Sequence, residues 1–210
     1  MTTGVSPLSD EDRPVAIDAA WLPSHAFGHQ SLMWWGTVGI MAIEGMAFAL
    51  AGVMYLYIWT RLDAWPPDAL PPELRFGTLN LGILIASVLP NHYSRRAAER
   101  YDLHGVRVGM LLCLAFGLAL LAVRALEFTA LNVSWDTNAY GSAVYLLLGL
   151  HTAHLLTDVA GTAVLAVLMF TGPLERRRFV DVSENALYWN FVVAAWPPIY
   201  VVVYLLPRWL

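Results

Sequence analysis

The sequence predicts an all-α protein, a polytopic bundle of five transmembrane helices. Three observations lead there. The chain of 210 residues is 58% hydrophobic and only 13% charged, about half the charge fraction of a soluble domain, and its mean hydropathy is +0.56. Apolar stretches of membrane-spanning length recur along it, separated by short linkers rich in proline and glycine. Every one of its 12 basic residues is an arginine, and most fall into two clusters beside those stretches.

The division expected from this pattern is a polar N-terminal segment, residues 1–30, and one membrane domain, residues 31–210. The first segment is mildly acidic (Asp10, Glu11, Asp12, Asp18) and lacks the basic start and short apolar core of a signal peptide. The first span, about 33–60, is therefore expected to be uncleaved. The second, about 74–92, follows Pro66, Pro67, Pro71 and Pro72, which stop helix continuation. Its apolar core is short and carries Asn80 and Ser87. The third is about 106–128, with Arg124 and Glu127 at its end. The fourth, about 139–170, would be about 48 Å long at 1.5 Å per residue, so it must tilt or project from the membrane. Gly172 and Pro173 end it. The fifth, about 185–206, contains Pro197 and Pro198, which should bend it or loosen one turn.

Arginine placement sets the expected orientation. Arg95, Arg96, Arg100 and Arg107 lie around the loop between spans two and three, and Arg176, Arg177 and Arg178 in the loop between spans four and five. Those seven and Arg13 oppose Arg61, Arg75, Arg124 and Arg208. The N-terminus is thus expected in the cytoplasm and the C-terminus outside. Arginines beside membrane spans read as topology signals and lipid-headgroup contacts, not as a nucleic-acid surface. Aromatic residues gather near span ends, among them Trp34, Trp35, Tyr55, Tyr57, Trp59, Trp65, Tyr188, Trp189, Trp196, Tyr204 and Trp209, and most are expected in the interfacial belt.

Glu44 is the one formal charge in residues 34–59. A carboxylate at that depth is costly, so it is expected to be protonated or paired, as a buried functional carboxylate. Its own helix offers no partner, whereas Gly36, Gly39, Gly45, Ala49 and Gly52 would let another helix approach. Two readings stand: a proton-linked carboxylate, or a hydrogen-bonding anchor to a neighbouring helix or subunit. His151, His154 and Asp158 share one helical face. Two imidazoles and a carboxylate suit zinc or iron, but no further ligand cluster accompanies them, which favours a polar stripe satisfied between helices. Arg124 and Glu127, three apart, read as an ion pair that stabilises packing near the membrane interface. Trp189 and Trp196, seven apart, share a face of the last helix that reads as a packing seam. The single cysteine, Cys113, excludes an internal disulfide, and no phosphate loop, nucleophile elbow or CxxC pair is present.

Taken together and in order, four stretches resemble subunit III of the haem–copper respiratory oxidases, over about residues 31–209. Ile43, Glu44, Gly45, Met46, Ala47 and Phe48 resemble a serine–glutamate followed by aromatics at mid-membrane. Arg124 to Phe128 resemble a glutamine-x-x-glutamate-aromatic helix end. Tyr140, Gly141 and Ser142, then Gly149, His151 and His154, resemble a YGS…GFHGxH stretch. Tyr188, Trp189, Asn190, Phe191, Val192 and Trp196 resemble the closing YWHFVDVVW helix, with Asn190 where that family has histidine and Val193 where it has aspartate. Five spans are similar to the short bacterial members that lack the first two helices, including those of quinol oxidases.

The resemblance implies a V-shaped bundle in the bacterial inner membrane, without cofactors of its own. Haem and copper would belong to partner subunits. Subunits I and II and phospholipid are the implied partners in a hetero-oligomeric complex. The implied role is non-catalytic: packing on subunit I, binding lipid, and supporting proton uptake and turnover stability in aerobic respiration. Glu44 would lie near the subunit I contact. Glu127, His151, His154 and Asp158 would line the bundle interior, and Trp189, Asn190 and Trp196 would serve packing. The alternatives are a subunit-III-like accessory protein of a nitric oxide reductase, a small proton-coupled transporter built on Glu44 and the His151–Asp158 face, and a membrane metalloenzyme.

Overall fold

A computed structural model describes residues 23–67 and 70–209. Most of the polar N-terminal segment, with Asp10, Glu11, Asp12, Arg13 and Asp18, lies outside the described residues. The rest is helical: α1 Leu32–Trp59, α2 Leu74–Glu99, α3 Leu103–Thr129, α4 Ala139–Thr171 and α5 Arg176–Tyr200. The chain continues from α5 through a π-helical stretch, Val201–Leu205, into a last turn, Leu206–Trp209. Four of these helices are long and apolar enough to cross a membrane. The protein is a multi-pass membrane bundle.

Local chemistry sets the boundaries. Ser31, Asp102 and Asn138 cap α1, α3 and α4, each accepting a bond from a backbone N–H two or three residues on. Gly172 and Pro173 stop α4. Two boundaries differ from the sequence expectation. The second helix runs on to Glu99, so Arg95 and Arg96 sit on its last turns. The last helix starts at Arg176, so Arg176, Arg177 and Arg178 form its first turn. Arginines at a helix end are tethered like loop arginines, and hydropathy does not distinguish the two. Both clusters still lie at one end of the bundle, where Arg176 stacks on Tyr101 and Arg107 donates to the Met169 carbonyl of α4 at 2.9 Å.

α2 reads weakly by hydropathy because its inner face is small and polar. Gly77, Asn80, Leu84, Ser87, Asn91, Ser94 and Ala98 are all buried, and their spacing alternates three and four, the period of a coiled-coil seam. The outer face carries the apolar side chains, among them Leu79, Ile85 and Leu89. α2 packs closely on α3 and α5, and α3 and α5 both pack on α4, which closes a ring of four helices. Gly109 of α3 permits the α2 contact, since a Cβ there would sit 2.7 Å from that of Ser94.

α1 lies outside this ring, against α4 and α5. Only 6% of its most apolar stretch is buried, against 28–33% in the three other apolar spans. Of the small residues along it, Gly45 meets Phe191, while Gly36, Gly39 and Gly52 face open space. Among the described residues, the close approach expected along those glycines is confined to Gly45.

The tandem prolines do not end α5. Pro197 and Pro198 lack N–H groups and so remove two rungs from the hydrogen-bond ladder. The helix continues and loosens into the π turn immediately after them. That turn carries Tyr204 into the core.

Candidate functional site

The polar side chains of this bundle form three groups, stacked from one end of the ring to the other. The first is at the end away from the arginine clusters. Arg124 and Glu127, one turn apart on α3, are both 1% exposed. Arg124 Nη1 lies 2.9 Å from Glu127 Oε2. The contact lacks the angle of a directed hydrogen bond, so it is held by charge attraction. Glu127 also accepts from Asn80 of α2 at 2.5 Å and from the Tyr204 hydroxyl of the π turn. Arg124 reaches His151 Nδ1 of α4 at 3.1 Å and lies over the Trp196 ring, 3.9 Å from its centroid. The other nitrogen of His151 faces the Val192 carbonyl at 3.1 Å. A carbonyl only accepts, so Nε2 carries the proton and Nδ1 accepts from the guanidinium. This ion pair therefore joins four helices in the core. Arg124 lies five residues from the end of α3, and the π turn brings Tyr204 to Glu127.

The second group centres on Glu44. Its Oε2 accepts from the Tyr188 hydroxyl of α5 at 2.8 Å, and its Oε1 lies 3.5 Å from Nε2 of His154 on α4. His154 Nδ1 is 2.6 Å from the Leu150 carbonyl. That bond fixes Nδ1 as donor and turns Nε2 toward Glu44. Phe48, one turn along α1, packs against the His154 ring. The Glu44 side chain is 24% exposed, so the expected burial is corrected to partial burial. α4 and α5 cover one side of it, through His154 and Tyr188.

The third group lies toward the arginine-rich end. Asp158 of α4 and Glu184 of α5 are each 4% exposed. Both line a cleft of about 540 Å³ between α1, α4 and α5. His151, His154 and Asp158 thus share a helical face and still diverge. The first joins the Arg124 pair, the second meets Glu44, and the third faces the cleft. Among the described residues, no three His, Cys, Asp or Glu side chains converge as metal ligands.

Trp189 and Asn190 fasten α5 to α2. The Trp189 indole donates to Ser87 Oγ at 2.9 Å. Asn91 donates to the Asn190 side-chain oxygen at 3.0 Å and to the Ala186 carbonyl at 2.9 Å. Trp196, fully buried, packs on His151. Several aromatics expected in the belt are core residues instead: Tyr55, Trp189, Trp196 and Tyr204 are under 5% exposed. Tyr55, Trp189 and Tyr204 each bring their polar atom to a partner inside the protein. Trp35, Tyr57 and Trp209 remain exposed as a belt would have them.

A family model described as cytochrome c oxidase subunit III matches residues 59–208. The chain belongs to that family. Subunit III proteins similar to it along nearly its whole length include one from Synechocystis sp., 29% identical over 209 residues, covering 96% of this chain and 89% of the relative. Another, from Thermostichus vulcanus, is 26% identical over 204 residues, covering 96% and 98%. A heme-copper oxidase subunit I+III from Aeropyrum pernix is 26% identical over 147 residues, 68% of this chain and 18% of that protein. The family match begins at the end of α1, so Glu44 lies outside it.

Sequence reasoning missed Asn80 and Tyr204 as partners of Glu127, and Tyr188 and Glu184 as neighbours of Glu44 and Asp158. For Asn80 a signal existed, since Asn80, Ser87, Asn91 and Ser94 fall on one seam at heptad spacing. The others depend on which helices become neighbours.

Proposed function

We propose that this chain is a non-catalytic subunit III of a haem–copper terminal oxidase. It sits in a bacterial inner membrane with its N-terminus cytoplasmic and its C-terminus outside. It packs on subunit I, in a complex that includes subunit II and phospholipid, and supports proton uptake and turnover stability there. Haem and copper reside in the partner subunits. One observation carries the non-catalytic reading. His151, the histidine best placed to ligate a metal inside the bundle, uses both ring nitrogens in protein contacts, one to Val192 and one to Arg124. A metal or haem iron would have to displace one of them and would meet the guanidinium cation. The subunit contact is supported by α1, whose apolar surface faces outward and whose Glu44 is incompletely covered, and by the Aeropyrum relative, whose name joins subunits I and III in one chain.

The test is capture of the tagged chain from native membranes in mild detergent, with partners identified by mass spectrometry. Recovery of an oxidase subunit I supports the reading. Recovery of a nitric oxide reductase instead would assign the chain to that complex. Recovery alone, with substrate-dependent proton flux in liposomes, would assign it to transport.

A further inference from the structure

We propose that the cleft between α1, α4 and α5 is a hydrated proton inlet, with Asp158 and Glu184 as its proton-holding groups and Tyr188 as its link to the Glu44–His154 pair. The inlet rests on the reading of Glu44 as a proton-linked carboxylate.

The cleft is lined on its polar side by Thr37, Thr157, Asp158, Glu184, Asn185 and Tyr188. Its volume of about 540 Å³ accommodates a file of waters, each of which occupies about 30 Å³ in the liquid. Asp158 Oδ2 and Glu184 Oε2 are buried and have no hydrogen-bond partner among the described residues. An unpaired carboxylate oxygen in that position is costly. A proton on the oxygen removes the cost without any change of packing. The groups around the two acids do not cancel both charges. Thr37 of α1 hydrogen-bonds Glu184, and Arg95 of α2 acts on it but is paired with Glu99 at 3.0 Å, while Asp181, one turn earlier on α5 and 3.6 Å from Arg178, opposes it. Cys113 of α3 is the ionisable neighbour of Asp158 from that side, and Tyr188 faces it from α5.

Tyr188 belongs to two groups at once. It lines the cleft and donates to Glu44 Oε2. A proton arriving from cleft water on the Tyr188 oxygen would release the hydroxyl proton to Glu44. One O–H bond breaks at tyrosine as another forms there, and the net change is one proton lost from the cleft and one gained by Glu44. Glu44 Oε1 lies 3.5 Å from His154 Nε2, so the transferred proton has a second site within reach. The sequence alone pairs Glu44 with the His151–Asp158 face but does not show the link between them, because Glu184 and Tyr188 come from a third helix.

The test uses the chain in its copurified complex. After rapid transfer to deuterated buffer, infrared difference spectra follow exchange at the carboxyl band of Glu44, assigned by its loss in Glu44→Gln. Two variants break the inlet at different points: Asp158→Asn with Glu184→Gln, which keeps side-chain shape, and Tyr188→Phe, which removes only the linking oxygen. The inlet predicts exchange slowed on the order of a hundredfold in both, a typical effect of losing one positioned proton-transfer group. Wild-type exchange in either variant overturns it, and so does the lack of any Glu44 carboxyl band across the accessible pH range. Those failures leave the subunit assignment standing. Only failure of the wild-type chain to copurify with an oxidase overturns that.

Discussion

Glu127→Gln should be among the most damaging conservative changes in this chain. Glu127 and Arg124 are fully enclosed, 2.9 Å apart. The amide preserves volume and can still bond Asn80 and Tyr204, so packing hardly changes. What it removes is, among the described residues, the carboxylate paired with the buried guanidinium. Stranding one member of a buried pair costs about 3–5 kcal/mol. The Trp196 face does not offset the loss, because it lies under Arg124 in both proteins. Replacing both residues by methionine removes the stranded charge. It leaves Asn80, Tyr204 and His151 each short of a partner, at about 1–3 kcal/mol each. The double variant should therefore cost less than the sum of its two single changes, Arg124→Met and Glu127→Met, by about 0.5–3 kcal/mol, a coupling that contacting residues commonly show. Equilibrium unfolding in mixed detergent and dodecyl sulfate, read by helical circular dichroism, measures both. A Glu127→Gln protein within about 0.5 kcal/mol of wild type, the range of an unimportant surface change, would refute the reasoning. So would a double variant whose cost equals the sum of its two single costs.

Other positions give sharper contrasts. Glu44→Gln should leave complex yield near wild type, since the amide oxygen still accepts from Tyr188. Glu44→Lys places a cation beside His154 in a half-covered seam and should lower the yield markedly; normal yield from the lysine variant would contradict the proposed contact. Ser87→Ala orphans the buried Trp189 N–H and should cost about 1–3 kcal/mol in the same unfolding assay. Gly77→Ala drives a methyl group into the Tyr204 ring, 2.7 Å from the nearest carbon. It should cost about 1–3 kcal/mol, and less in combination with Tyr204→Leu.

The helices were legible in the sequence to different degrees, for physical reasons. α1, α3 and α4 announce themselves because apolar side chains cover most of their circumference. α2 hides because its inner seam is built from Gly77, Asn80, Ser87, Asn91 and Ser94, small and polar residues that a hydropathy window penalises. Their heptad spacing is the better signal. The start of α5 was obscured by Arg176, Arg177 and Arg178, which belong to the first helical turn and still serve as a polar anchor. Glu44 and Glu127 stood out as carboxylates in apolar runs. Their partners did not, because His154 and Tyr188 lie more than a hundred residues from Glu44, and Tyr204 is 77 residues from Glu127. Tyr204 reaches Glu127 from a π turn next to two prolines, where a regular 3.6-residue period no longer applies. Only the assembled ring decides which face of an aromatic residue is core and which is belt.

The central claim is that this bundle is an accessory subunit, held together by its own buried polar groups and attached to a haem-bearing partner. A reduced-minus-oxidised visible spectrum tests it most directly, taken on the tagged chain as captured in mild detergent and again after harsher detergent has stripped its partners. The account predicts haem bands in stoichiometric amount in the first spectrum and a colourless, still helical chain in the second. Haem retained by the stripped chain would contradict it, as would a well-folded chain captured from native membranes with no haem-bearing partner.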